Sequence, residues 1–120
     1  MRFFLFFSAC WMAVFSTFPT WAGSISGTKI VRISSADVGN LRGREGIFVV
    51  EFDKVLPDRP SCATVTSSLA IDPTTDIGKA QIAQLFTAQA QGTLLTVVGR
   101  GTCTIWDKTE DLSEVYAPGY

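Results

Sequence analysis

No histidine occurs anywhere in the 120-residue chain. That removes the commonest general base and, with it, Ser–His and Cys–His nucleophile pairs. Cysteine is sparse, with three in all and no Cys-x-x-Cys, so a thioredoxin-type redox pair is absent. With neither histidine nor a second cysteine pair, no metal centre is expected. Basic residues form no block, and ten Lys and Arg stand against eleven Asp and Glu. This leaves no electrostatic case for nucleic acid or anionic lipid as the main partner. Carboxylates do cluster, Asp72 with Asp76 and Glu110 with Asp111 and Glu114. The first pair reads as a turn and a helix cap, the second as a charged, solvated segment. Glycosidase chemistry needs a pair flanking a cleft, which nothing in the pattern suggests. The chain reads as no enzyme, with no catalytic residue and no cofactor.

What the chain does have is a strongly apolar start. Met1 and Arg2 are followed by Phe3 to Phe7 and Cys10 to Phe15, and Thr20-Trp21-Ala22 closes the run with small outer residues. Charged, apolar, then small-x-small is the order of a secretory signal peptide. The competing reading is a retained anchor. A spanning helix needs about 20 apolar residues, and Ser8, Ser16, Thr17, Pro19 and Thr20 interrupt this stretch. A lipid anchor at Cys10 is disfavoured by Phe7, which stands where a small aliphatic residue is usual. Cleavage after Ala22 is therefore expected, with residues 1–22 the leader and 23–120 a single small domain. The product is secreted or periplasmic, without stable membrane insertion. Six of the nine Phe and two of the three Trp leave with the leader, so mean hydropathy describes export more than folding. The remaining chain has nine basic and eleven acidic residues, a net charge of −2.

Cys10 leaves too, and Cys62 and Cys103 remain in an oxidising compartment, where they are expected to pair. Closing a loop of about 42 residues contributes roughly 4 kcal/mol in the chain-entropy treatment, less any strain.

Along the chain, Lys29 to Ser34 is β-branched and partly alternating, a first strand, and Ser35 to Gly46 reads as a long glycine-marked turn. Ile47 to Asp53 alternates clearly and is the second strand. Pro57 and Pro60 mark a connection, and Cys62 to Asp72 is the third strand. Thr74 and Thr75 offer a hydroxyl cap, and Asp76 to Gln91, rich in Ala and Gln, is the one convincing helix, stopped by Gly92. Its apolar stripe is Ile82, Leu85 and Phe86, with Gln81, Gln84 and Gln91 opposite. Leu94 to Val98 and Thr102 to Trp106 are further strands, broken after Trp106 by the charged run Asp107 to Glu110; Leu112 to Tyr116 either extends the last strand or forms a short turn. The expected core is Phe48, Val50, Phe52, Val65, Leu69, Ile82, Leu85, Phe86, Leu95 and Val97.

Three strands, a helix and two strands is the element order of an OB-fold, a five-stranded barrel with its helix between strands three and four. The fold class expected is therefore α+β, mainly β. The run Ala80-Gln81-Ile82-Ala83-Gln84-Leu85-Phe86-Thr87-Ala88-Gln89-Ala90-Gln91-Gly92-Thr93-Leu94-Leu95-Thr96-Val97, followed by Gly99 and Cys103, resembles the helix, glycine and strand of the small exported B subunits of AB-type bacterial toxins. The resemblance is particularly to the subtilase-cytotoxin and pertussis-like branch, over about residues 62–106. The resemblance implies a leader, a disulfide, an OB-fold, a homopentamer whose helices line a central pore, and glycan binding at a cell surface. The family's sugar-contacting residues do not map onto this chain one by one, and Arg42-Gly43-Arg44-Glu45 has no counterpart in it.

That tetrapeptide is nonetheless the best binding-loop candidate. In the OB order it joins strands one and two, a connection that often forms ligand surface. Arg42 and Arg44 on glycine-flanked backbone can fork onto a carboxylate such as that of a sialic acid, with Glu45 beside them; the plain alternative is a solvated hairpin tip. Trp106 either packs beside Cys103 or offers a stacking face to a sugar. Two functions remain: an exported oligomeric glycan-binding module, or a structural or inhibitory envelope protein that binds another protein.

Overall fold

The computed structural model describes residues 22–41 and 43–117. Six strands and one helix follow in the order Ser24–Thr28 (β1), Ile30–Leu41 (β2), Arg44–Phe52 (β3), Ser68–Ile71 (β4), Asp76–Gln91 (α1), Leu95–Gly99 (β5) and Glu110–Tyr116 (β6). They form one sheet in the order β1-β5-β6-β4-β3-β2. Every pairing is antiparallel except β4 with β6.

The fold is thus mainly β with one helix, as expected, but the sheet is open and six-stranded where a closed five-stranded barrel was expected. The extra strand comes from a break in the first one. Residues 24–41 are extended almost throughout, but Lys29 separates β1 from β2, and the register shifts on both sides of it. Gly27 adopts φ 65°, a left-handed conformation that costs glycine little. Asp53 holds the break by accepting from the Thr28 hydroxyl at 2.6 Å and the Lys29 amide at 3.0 Å. Those two bonds keep its carboxyl below the ordinary aspartate pKa. β1 then pairs with β5 and β2 with β3, at opposite edges of the sheet. The expected turn over Ser35 to Gly46 is strand as far as Leu41; the real turn is at Gly43, φ 77°.

The helix has the ends its sequence dictates. Thr75 caps it, its hydroxyl accepting from the Gly78 amide at 3.0 Å, and Gly92 ends it at φ 63°. Its orientation differs from the expected one. Gly78, Gln81, Leu85 and Ala88 face inward, while Phe86 is 47% exposed and meets Phe48 only edge-on at 6.4 Å between ring centroids. Two contacts set this rotation. Gly78 lies so close to the Asp72 carbonyl that a Cβ would fall on the oxygen, and the buried Gln81 donates its side-chain amide to the Ser113 carbonyl at 2.9 Å.

Of the expected core, Val50, Phe52, Leu69, Leu85, Leu95 and Val97 are buried together, with Phe48 and Ile82 packed at the margin. Val65 is only half-buried and Phe86 faces outward. Ile25, Leu56, Ile71, Ala88 and Leu112 complete the cluster.

Cys62 and Cys103 are bonded, their Cα atoms 6.2 Å apart. They do not begin strands, as expected, but join two loops, residues 53–67 and 100–109, which also share the Val65 amide to Lys108 carbonyl bond at 2.9 Å. The expected strand Thr102 to Trp106 is loop, with one isolated bridge between Trp106 and Thr109. The segment read as a charged breaker instead runs into β6, where Glu110 and Asp111 are buried. Among the described residues, no helix is long and apolar enough to cross a membrane.

Candidate functional site

At the start of β3, Arg44 and Glu45 do not share one patch. Arg42 lies outside the described residues. Arg44 and Glu45 open β3, and side chains alternate along a strand, so the two line different concavities. Arg44 Nε donates to Asp72 Oδ2 at 2.6 Å, and its Nη1 reaches the Thr104 carbonyl at 3.4 Å. Asp72 is fixed in turn by Thr74, whose amide and hydroxyl reach Oδ1 at 2.9 and 2.6 Å. Burial raises the Asp72 pKa, but the bonds from Arg44 and Thr74 outweigh it and leave the carboxyl below its usual value. Arg44 is therefore a positioned cation, not a mobile loop side chain.

Around it lies a pocket of about 180 Å³ whose polar lining includes Thr75, Gln81, Arg100 and Thr104, with Ile77 and Ile105 as apolar walls. Arg100 is exposed, and its guanidinium pairs with no carboxylate among the described residues. Two guanidinium groups thus meet at one small concavity. The first is anchored by Asp72 and the second is available to an incoming anion. In sequence, Gly99-Arg100-Gly101 is glycine-flanked like Arg42 and Arg44 and reads as a turn between two strands.

Asp111 shapes the loop that brings Arg100, Thr104 and Ile105 to the pocket. It is fully buried. Its Oδ1 accepts from the amides of Thr104 and Ile105 at 3.0 and 2.9 Å, and its Oδ2 from the hydroxyls of Thr102 and Thr104 at 2.7 and 2.6 Å. Burial pushes this carboxyl up, but the bonds from Thr104, Ile105 and Thr102 together bring it below the ordinary value. In sequence Asp111 reads as part of a charged, solvated segment; its burial goes unseen because its partners are backbone amides and hydroxyls, which no charge pattern marks.

Glu45 lies on the other side, in an open groove of about 570 Å³ with Asp37, Phe48 and Pro73. Two carboxylates make that groove acidic, so it suits no anionic ligand. Trp106 is half-buried and lines neither concavity, although the preceding Thr104 and Ile105 line the Arg44 pocket. Among the described residues, no three Cys, Asp or Glu side chains converge as a metal site would require. Compared with known protein families, characterised proteins and solved structures, the chain matches none.

Proposed function

We propose that this is an exported, non-enzymatic binding module that takes an anionic glycan and acts as a homo-oligomer, in the manner of the toxin B subunits it resembles. The observation that carries the reading is the pairing of Arg44 and Arg100 on one polar pocket. A guanidinium fork matches a carboxylate, and the hydroxyls of Thr75 and Thr104 and the amide of Gln81 match sugar hydroxyls. Asp72 holds Arg44 in place in advance, which lowers the ordering cost of binding. The disulfide suits an oxidising compartment, consistent with the leader-like residues 1–22 and a secreted or periplasmic product.

Kinship with the OB-fold draws support from the strand order. Counted as one strand bent at Lys29, β1 and β2 give five strands with the helix between the third and fourth and a parallel pairing of the third with the fifth. Assembly into a pentamer around its helices draws support from the outward side of α1, where Ala80, Ala83 and Ala90 lie exposed with Ile77 and Phe86.

The test is calorimetry of the oxidised mature chain with sialyllactose against neutral lactose, alongside light scattering. Sialyllactose alone should bind, and the mass should be about five times that of one chain, as a closed ring requires. Arg100→Ala should weaken binding about tenfold or more, as expected for one charge-assisted hydrogen bond, without changing the melting temperature. Equal binding of both sugars would remove the anionic-ligand reading. No binding of either, together with a monomeric mass, would leave the protein-binding envelope role in its place.

A further inference from the structure

Glu110 is 1% exposed and no lysine or arginine side chain pairs with it among the described residues. Its carboxylate is held by main-chain nitrogens: Gly23 N lies 2.9 Å from Oε1 and 3.2 Å from Oε2, and Gly101 N lies 2.8 Å from Oε1. A buried carboxylate without a cation is costly, so its retention in β6 asks for a positive partner.

The surroundings are shaped to admit one particular group. The Gly23 carbonyl accepts from the Gly99 amide at 2.7 Å, which docks the chain start against β5. A Cβ on Gly23 would stand 2.7 Å from Glu110 Oε2 and 3.0 Å from Leu56 Cδ2, and one on Gly99 would fall on the carboxylate itself. A side chain at residue 23 would force Glu110 and Leu56 to shift, so glycine brings its nitrogen here at least cost. Gly23 is also the residue that cleavage after Ala22 would place first.

We propose that Glu110 is the receptor for the α-ammonium group that leader removal creates at Gly23, so that processing turns a neutral amide contact into a buried ion pair and locks the fold. The inference rests on the cleavage reading, not on the glycan reading. Water, with an export peptidase as catalyst, breaks the Ala22–Gly23 C–N bond. Water's hydroxyl goes to the Ala22 carbonyl carbon and its other hydrogen to the Gly23 nitrogen; the amine then takes up, through solvent, the proton that the new Ala22 carboxyl group releases. One shared N–H is thereby replaced by a charged group with three donors.

Other charges near the site are engaged elsewhere or exposed. Asp111 points across β6 to Thr102, Thr104 and Ile105, and Lys54 donates to the Ser26 carbonyl. Arg59 donates to the Leu56 and Ala63 carbonyls, while Arg100 and Glu114 are exposed. β1 and β5 contribute no ionisable side chain.

Three oxidised chains decide the matter: one beginning at Gly23 with a free amine, one extended by Ala22, and one with Gly23 acetylated, each also carrying Glu110→Gln. The Gly23 amine should titrate by ¹⁵N NMR about one unit or more above the ordinary range of about 7.7–8.0, and Glu110→Gln should return it there. At pH 7 the free-amine chain should have a folded-to-unfolded ratio at least about tenfold above the other two, equivalent to that one-unit shift. The advantage should vanish as pH rises through the raised pKa, because the folded state then loses the proton it had favoured. Ratios within about twofold of one another, or an amine titrating in the ordinary range, would overturn the proposal. If Glu110→Gln does not fold, the comparison of the free-amine and extended chains still decides. Mass spectrometry of exported protein tests the cleavage site separately: a start other than Gly23 sinks that reading, whatever the engineered free-amine chain shows.

Discussion

Replacing Asp111 tests whether one buried carboxylate holds the 100–109 loop in place. Four donors converge on it, two hydroxyls at Oδ2 and the amides of Thr104 and Ile105 at Oδ1. In Asp111→Ala the hydroxyls can rotate to other acceptors, but the two amides are fixed by the backbone. Each orphaned buried donor costs about 1–3 kcal/mol. The loop is partly exposed, so water recovers some of this, and a loss of about 2–4 kcal/mol follows. Asp111→Asn should cost only about 1 kcal/mol, because its oxygen can keep both amides while the hydroxyls reverse and accept from the new NH₂. Urea unfolding with the disulfide intact measures both. The pH dependence adds an independent check. The native carboxyl titrates below its ordinary value, so its contribution is complete above the unfolded pKa of about 3.9. It is lost as pH falls through the lower native pKa, and this part of the acid limb should be missing from Asp111→Asn. A cost under about 0.5 kcal/mol for Asp111→Ala, the level of an ordinary surface site, or an unchanged acid limb in Asp111→Asn, would refute the reasoning.

Other substitutions probe other joints of the fold by the same unfolding measurement. Cys62→Ser with Cys103→Ser should cost about 4 kcal/mol by the loop-closure estimate and loosen both long loops toward proteolysis. Leu85→Ala should cost about 2–5 kcal/mol as a buried truncation, whereas the half-exposed Phe86→Ala should cost about 1 kcal/mol, mostly its edge contact with Phe48. Equal costs would mean that the helix is rotated from its described position. Gly78→Ala, which in a free helix would stabilise by about 1 kcal/mol, should here destabilise by about 2–3 kcal/mol, because its Cβ meets the Asp72 carbonyl. A neutral result would show that the helix start can move away.

Local chemistry made some elements readable. The helix 76–91 announced both ends through Thr75 and Gly92, and Ile47 to Phe52 showed its alternation plainly; both recur in the structure. The cysteine pair was legible because Cys10 lies in the leader-like stretch 1–22, which leaves two cysteines to pair. Elements settled by distant partners were not. Thr102 to Trp106 has strand-like composition, yet the amides of Thr104 and Ile105 go to the Asp111 side chain in place of a neighbouring strand, a competition that propensity does not encode. The charged start of β6 read as a breaker because burial of Glu110 and Asp111 depends on amides and hydroxyls from residues 23 and 101–105. At the site, the glycine-flanked Arg44 was legible as a candidate, but its engagement by Asp72 and its meeting with Arg100 depend on how the start of β3 lies against the start of the helix.

The place of β6 in the sheet governs when the molecule can fold. It is the last strand in the chain, yet it lies between β5 and β4 near the middle of the sheet. A chain emerging N-terminus first, from a ribosome or a membrane channel, therefore carries β4 and β5 with no strand to bridge them until Glu110–Tyr116 has cleared the exit. Until then the β1–β5 pair and the β2–β3–β4 half are joined only through the bend at Lys29. The sheet is therefore completed at its centre by the last strand to appear. Truncation before residue 110 should leave two half-sheets joined only through residue 29, which added protease should cleave faster than the full chain.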